Sequence, residues 1–376
     1  MSDLHLGQNG LDGSGNYSLL SDIPSHLYKE KEKADAKMNI LKSRVKLFAG
    51  KDPIALICCG DTLDLSLAYF DQAYHDLEYL LKNIPSITSL VLVVGNHDHH
   101  LWTMHCEYKN IIAPLMHGNS LCRAGIYQPT QGDVFELFEK NLSGRLGRDI
   151  MVDIAYPSYS FQIEDETFYC THGHLFGGLY NLVSRIMSIF LEEEVDEGKH
   201  ATMNVALIEL IYWLCGETGE GMGANGIIEA LHADAEKGDD SLIKQIVSKG
   251  VDEILPEGII RGIPDSWERN FVKWAIGKFV DKTLEEKPAI VISKDRYEDP
   301  AQTIKRVEGW MTSILKINKE EKLSFIFGHT HRSGMANIGN VYVYNLGSWL
   351  VESKDDDPDT EILTIGDDGS VVMEKL

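Results

Sequence analysis

Positive charge is scarce in this chain. Its 376 residues include 35 lysines and arginines against 58 aspartates and glutamates, a formal net charge of −23. A surface of that sign repels phosphate backbones and anionic lipid faces. The basic residues fall in short mixed runs rather than a stripe, so nucleic-acid binding is not expected. Cysteine is scarce too. There are six, and none has the Cys-x-x-Cys spacing of a zinc or redox site. Cys58, Cys59 and Cys170 fall inside apolar runs, which predicts buried free thiols and a reducing, cytoplasmic setting. No apolar run reaches the roughly 18 residues of a transmembrane segment, and no secretory leader is evident. No internal repeat is present. The run Asp355-Asp356-Asp357 lacks the Gly and Glu spacing of a calcium loop and reads as a solvated acidic loop. Oligomeric state leaves no trace in the sequence. The length suffices for one large domain or two.

What the chain does hold is a scattered set of carboxylates and imidazoles: Asp3-Leu4-His5, Gly60-Asp61, Gly95-Asn96-His97-Asp98, His172-Gly173-His174 and Gly328-His329-Thr330-His331. The apolar runs 54–59, 89–94, 167–171 and 323–327 read as buried strands. Each ends at a glycine, a residue of this set, or both. In open α/β sheets ligands collect at the carboxyl ends of strands, so residues far apart in sequence would converge there. Asp3 and His5, two apart, would face the same way on an extended strand. Hard carboxylate oxygens with imidazole nitrogens suit paired divalent cations. Such pairs neutralise phosphoryl oxygens and make hydroxide available near neutral pH. The bland account, polar residues at strand ends for turn chemistry, does not explain five such stretches in this order.

The ordered pattern D-x-H, G-D, G-N-H-D, H and G-H-x-H resembles the calcineurin-like metallophosphoesterase superfamily, from Asp3 to His331. The resemblance implies an α/β fold, a four-layer sandwich of two mixed β-sheets flanked by helices. It implies that Asp3, His5 and His331 bind one metal, that Asn96, His172 and His329 bind the second, and that Asp61 bridges them. His97 would be the general acid, paired with Asp64 of G-D-x-x-D; the bland reading of Asp64 is an acid at a helix N-terminus. The implied reaction is hydrolysis of a phosphomonoester, phosphodiester or pyrophosphate by a metal-bridging hydroxide. Two divalent ions are expected, Mn²⁺ first, with Fe or Zn²⁺ as alternatives, and a phosphorylated small molecule or lipid-linked compound as substrate. Rival readings are a non-catalytic scaffold on the same fold and a nuclease of the same superfamily. Two departures stand out. The family carries an apolar strand before D-x-H, whereas only Met1 and Ser2 precede Asp3, so a first strand is expected to be missing. The protein serine/threonine phosphatases carry Arg after the second Asp and Glu after G-N-H; here Leu65 and Asp98 stand there, which points away from that branch.

Along the chain, 27–49 reads as a helix ended by Gly50, 63–81 as a second, and 134–141 as a third. Strands are expected at 151–155, 158–163, 340–345, 360–364 and 370–375, the last two forming a hairpin. From 176 to 319 strand signals vanish, and the block reads as a helical insertion in a core made of 1–175 and 320–376. Within it, Met203–Cys215 is apolar nearly all round, a buried helix. A lipid-chain groove near Ile186–Leu191 is the sharper alternative, by resemblance to UDP-diacylglucosamine hydrolase, a distant analogue in the superfamily. His99, His100 and His105 read as loop residues rather than ligands, and His174 as support for a ligand or simply polar. Gly347, after Gly-His-Thr-His, would permit close backbone approach.

Overall fold

Strand formation follows the apolar runs. The structure, a computed structural model, describes residues 1–10, 16–50, 52–120, 128–176, 180, 194–215, 300–318, 320–351 and 358–376. A short β1 (Tyr17–Ser18) leads to α1 (Tyr28–Ala49), whose buried Ala34, Met38 and Leu41 repeat at helical spacing. Then come β2 (Ile54–Cys59), α2 (Phe70–Asn83), β3 (Ile87–Val93), α3 (His99–Glu107) and α4 (Ala113–Met116). Next are β4 (Thr130–Val134), α5 (Glu136–Leu146), β5 (Met151–Tyr156), β6 (Ser158–Ile163) and β7 (Glu166–Thr171). The 176–319 block contributes α6 (Glu197–Cys215) and α7 (Pro300–Ser313). The chain closes with β8 (Leu323–Phe327), β9 (Ser333–Ile338), β10 (Val341–Leu346), β11 (Leu350–Val351), β12 (Glu361–Ile365) and β13 (Val371–Lys375).

One sheet has the order β2-β3-β5-β4, with β2, β3 and β5 parallel and β4 antiparallel. The other has the order β6-β7-β8-β10-β9, parallel at its centre and antiparallel at both edges. Strand β12 pairs β13 in the expected hairpin. Side-chain alternation sorts the core. Cys59, Val91, Val93, Phe168, Cys170, Ile326, Tyr344 and Leu346 form one apolar layer joining the two sheets. Their neighbours Cys58, Leu90, Leu92, Tyr169, Phe325 and Phe327 join the larger core shared with the helices. Phe138 of α5 packs on Phe70 and Tyr74 of α2 beside the first sheet. Phe176 packs on Phe325, Phe327 and, in α7, Trp310 outside the second. The result is helix, sheet, sheet, helix, the mixed α/β architecture anticipated.

Several boundaries move. The second helix begins at Phe70 rather than 63, because Asp64 turns its carboxylate to the Leu67 N–H and to two histidines. Val134 ends a strand, and the helix expected there starts at Glu136. His99, His100 and His105 lie on α3, not in a loop. Strands β4 and β9 were not foreseen. Both are sheet edges, where one flank is unpaired and no continuous apolar run is demanded. Residues Ile186–Leu191, Asp355–Asp357 and most of the 176–319 block lie outside the described residues.

Candidate metal centre

Parallel β2, β3, β7 and β8 bring their carboxyl ends together, and four of the five motifs follow them. The fifth is laid alongside by backbone pairing. Cys59 N donates to Met1 O, Asp3 N to Gly60 O at 3.1 Å, and His5 N to Asp61 O at 2.8 Å. At these ends the chain turns sharply. Asp3, His5, Asp61, His329 and His331 all have positive φ, between 47° and 69°. L-residues pay for that conformation, and such strain persists where the surrounding fold over-determines it, commonly at functional sites. The motif glycines are explained by close approach. A Cβ on Gly95 would stand 2.2 Å from Asp61 Oδ1, and one on Gly328 2.1 Å from Asp3 Oδ2. Each carboxylate therefore lies directly against a glycine from another motif.

Two clusters adjoin. In one, His331 Nε2 is 3.4 Å from Asp3 Oδ1 and 3.3 Å from His5 Nε2. In the other, His172 Nε2 is 3.1 Å from Asp61 Oδ2, from Asn96 Oδ1 and from His329 Nδ1. Asp61 Oδ2 is also 3.9 Å from His5 Nε2, so it stands between the groups. Donors about 2.1 Å from a shared ion stand roughly 3–3.4 Å from one another. The observed spacings match that, and a set of carboxylate, amide oxygen and imidazole suits hard-to-borderline divalent cations. Asp3, His5 and His331 meet in one group able to hold a cation and Asp61, His172 and His329 in another, while a third group, His5, Asp64 and His97, is already joined by hydrogen bonds to Asp64. All seven expected ligand residues are thus brought together.

Carboxylates and imidazoles within the centre shift one another. Burial would raise the Asp61 carboxyl, but His172, His97 and His5 outweigh it and hold it well below the usual range. Burial likewise opposes ionisation of His172, yet Asp61 and Asp3 push its pKa to about 9. Asp64 takes hydrogen bonds from four sides. Its Oδ2 faces His5 Nδ1 at 2.8 Å and accepts from Gln8 Nε2 at 3.2 Å; its Oδ1 faces His97 Nδ1 at 2.9 Å and accepts from Leu67 N at 3.1 Å. Despite burial, His97 and His5 keep it ionised. The expected Asp64–His97 pair is present, and Asp64 holds His5 as well.

Several neighbours make contacts that the motifs did not foretell. Asp98 is buried and accepts from Gly95 N at 2.6 Å and Thr62 N at 2.7 Å, tying the loop after β3 to the loop after β2. Burial, then the charge of Asp61, raises it to about 7. Gln8 and Ser2, whose hydroxyl donates to Asp3 Oδ2 at 2.5 Å, were also unanticipated. His174 is buried, 5.4 Å from the His172 ring and 6.3 Å from His329, and its nitrogens make no hydrogen bond among the described residues. Gly347 does permit close approach: a Cβ there would meet Asp359 O at 1.9 Å.

A family model described as calcineurin-like phosphoesterase matches residues 1–206. Among solved structures, phosphopantetheinyl hydrolase from Mycobacterium tuberculosis is similar over 95% of this chain and 95% of its own, with 13% identity and a TM-score of 0.29. No curated protein matches. With the match covering more than half of the sequence, the chain belongs to the calcineurin-like phosphoesterase family of metal-dependent hydrolases.

Proposed function

We propose that this protein hydrolyses a phosphate ester or pyrophosphate at a pair of divalent cations. Asp3, His5 and His331 would hold one, Asn96, His172 and His329 the other, and Asp61 both. Bound there, the cations neutralise the phosphoryl oxygens and activate the attacking water. The chain's own part is positional. Left-handed backbone at five ligand residues aims their side chains inward. Asp64 fixes the Nδ1 proton on His5 and His97, leaving each Nε2 directed elsewhere. His97 retains 12% exposure where Asp64 has none, so it can meet a leaving-group oxygen and protonate it. Mn²⁺ is the first expectation, Fe and Zn²⁺ the alternatives. A phosphorylated small molecule is the favoured substrate class, since the acidic surface disfavours nucleic acid. Among the described residues, four buried free thiols, at Cys58, Cys59, Cys106 and Cys170, support a reducing cytoplasmic setting.

One observation carries this reading: residues from five separate motifs converge into adjoining groups, with Asp61 Oδ2 3.1 Å from His172 Nε2 on one side and 3.9 Å from His5 Nε2 on the other. The test is turnover of bis-p-nitrophenyl phosphate with added Mn²⁺, alongside metal content by mass spectrometry. Two ions per chain and turnover are expected. Two ions without turnover across a panel of phosphorylated metabolites would favour a scaffold, and no bound metal would overturn the centre.

A further inference from the structure

Helix α6 comes from the block that separates His-Gly-His from Gly-His-Thr-His, yet it places a carboxylate against the helix that follows Asn96 and His97. Glu209 Oε1 accepts from Thr103 Oγ1 at 3.0 Å and bonds His99 Nδ1, and its Oε2 faces His100 Nδ1 at 3.1 Å. All three partners lie on α3, whose first residue is His99. His99 is buried, and its Nε2 has no hydrogen-bond partner among the described residues. Its polar anchoring therefore comes from Glu209. The ring's remaining contacts are aromatic, to Trp102 and to Tyr156 at 4.9 Å. Tyr156 stacks on His174, which packs against His172 and His329. Asp98 closes the same loop on Gly95 and ties it to Thr62 after β2. The segment 95–98 is thus tied to the core by its own Asp98 and, through the start of α3, to the inserted helix by Glu209.

We propose that Glu209 is a positioning residue: through α3 it sets where Asn96 and His97 stand, so the inserted helix completes the metal centre. This rests on the phosphoesterase reading above. A carboxylate facing three donors is a strong, directional tether, because charge-assisted hydrogen bonds exceed neutral ones. The two histidines outweigh burial and lower the Glu209 carboxyl to about 2. Residues that orient metal ligands without touching the ion change affinity or activity by about 10–100-fold when removed.

The test compares Glu209→Ala, Glu209→Gln and Glu197→Gln. Glu197 lies at the other end of α6, about 18 Å away at the helical rise, and bonds Ser158 and Tyr169 in the second sheet. In Glu209→Ala, kcat on bis-p-nitrophenyl phosphate should fall at least about tenfold with KM within about twofold, and calorimetric Mn²⁺ affinity at one site should fall about tenfold. Glu209→Gln, which keeps an acceptor for Thr103 and His99, should restore most of both. Glu197→Gln should lower the melting temperature and leave kcat and Mn²⁺ affinity unchanged. The proposal is overturned if folded Glu209→Ala keeps wild-type kcat and Mn²⁺ affinity, or if Glu197→Gln reproduces its kinetic loss. Thr103→Val, nearly isosteric, removes one bond of the tether and must lower kcat in the same direction; no change there overturns the proposal even if Glu209→Ala does not fold. Should wild type bind Mn²⁺ without turnover, the phosphoesterase reading fails, and Mn²⁺ affinity still reads the role of Glu209.

Discussion

Asp61 accepts the His97 backbone N–H at 2.8 Å and reaches toward both ligand sets, whereas the His97 side chain bonds Asp64 through Nδ1. The two residues should therefore fail differently. Asp61→Asn should lose at least one of two ions by mass spectrometry and nearly all turnover. His97→Ala should keep both ions and lose about 10²–10⁴-fold in kcat, the range for a general acid. A His97 variant depleted of metal would reverse that division of labour. The glycines give an independent check. Gly95→Ala places a methyl 2.2 Å from Asp61 Oδ1, with backbone nearby, so the carboxylate must move; calorimetry should show weakened Mn²⁺ binding with the fold retained by circular dichroism. At this scale the residues that gather in the centre were legible because Asp, Asn and His in a fixed order have few other uses. Gln8 and Glu209 were not. Each acts through a partner distant in sequence, 110 residues for Glu209 and His99, and no local pattern records such a pairing.

Helix α6 shows what an element adds. It buries His200 against the Trp310 ring at 4.8 Å, and burial lowers this imidazole to about 4. The unfolded chain takes up that proton near pH 6.5 and the folded one does not. The stabilisation is therefore complete above about 6.5 and is lost as pH falls toward 4, on the order of 3 kcal/mol at most. Urea unfolding at pH 7 and 4.5 checks this: His200→Gln should lose less stability on acidification than wild type, and equal losses would exclude the effect. Elements were readable in proportion to their burial. Strand β8 runs Leu323–Phe327 as expected, buried at every position between two parallel neighbours. Strand β9 hides in Ser-Gly-Met-Ala-Asn-Ile because an edge asks little of its side chains, and Met335 is indeed exposed. The α3 helix was missed because three histidines directly after a loop motif carry no helical apolar period.

For the whole molecule, negative charge dominates the surface while the centre gathers carboxylates and imidazoles in its interior. Excess Mn²⁺ at about 100 times its Kd should stabilise the fold by about 2.7 kcal/mol, and chelation should remove this as a fall in melting temperature. An unchanged melting temperature would mean that the native state does not bind the ion preferentially. Fluorescence anisotropy with labelled DNA should show no salt-dependent binding; a steep salt slope would revive the nuclease alternative. The centre also spans the chain, since His5 faces His331 across 326 positions. Two ions held there would act as a clasp. A polypeptide nicked by protease between residues 216 and 299 would leave two fragments, each contributing residues to the centre and each owning part of one sheet, which joins where β7 of the first lies beside β8 of the second. Such fragments should co-migrate on size exclusion while metal is bound and separate more readily once it is stripped.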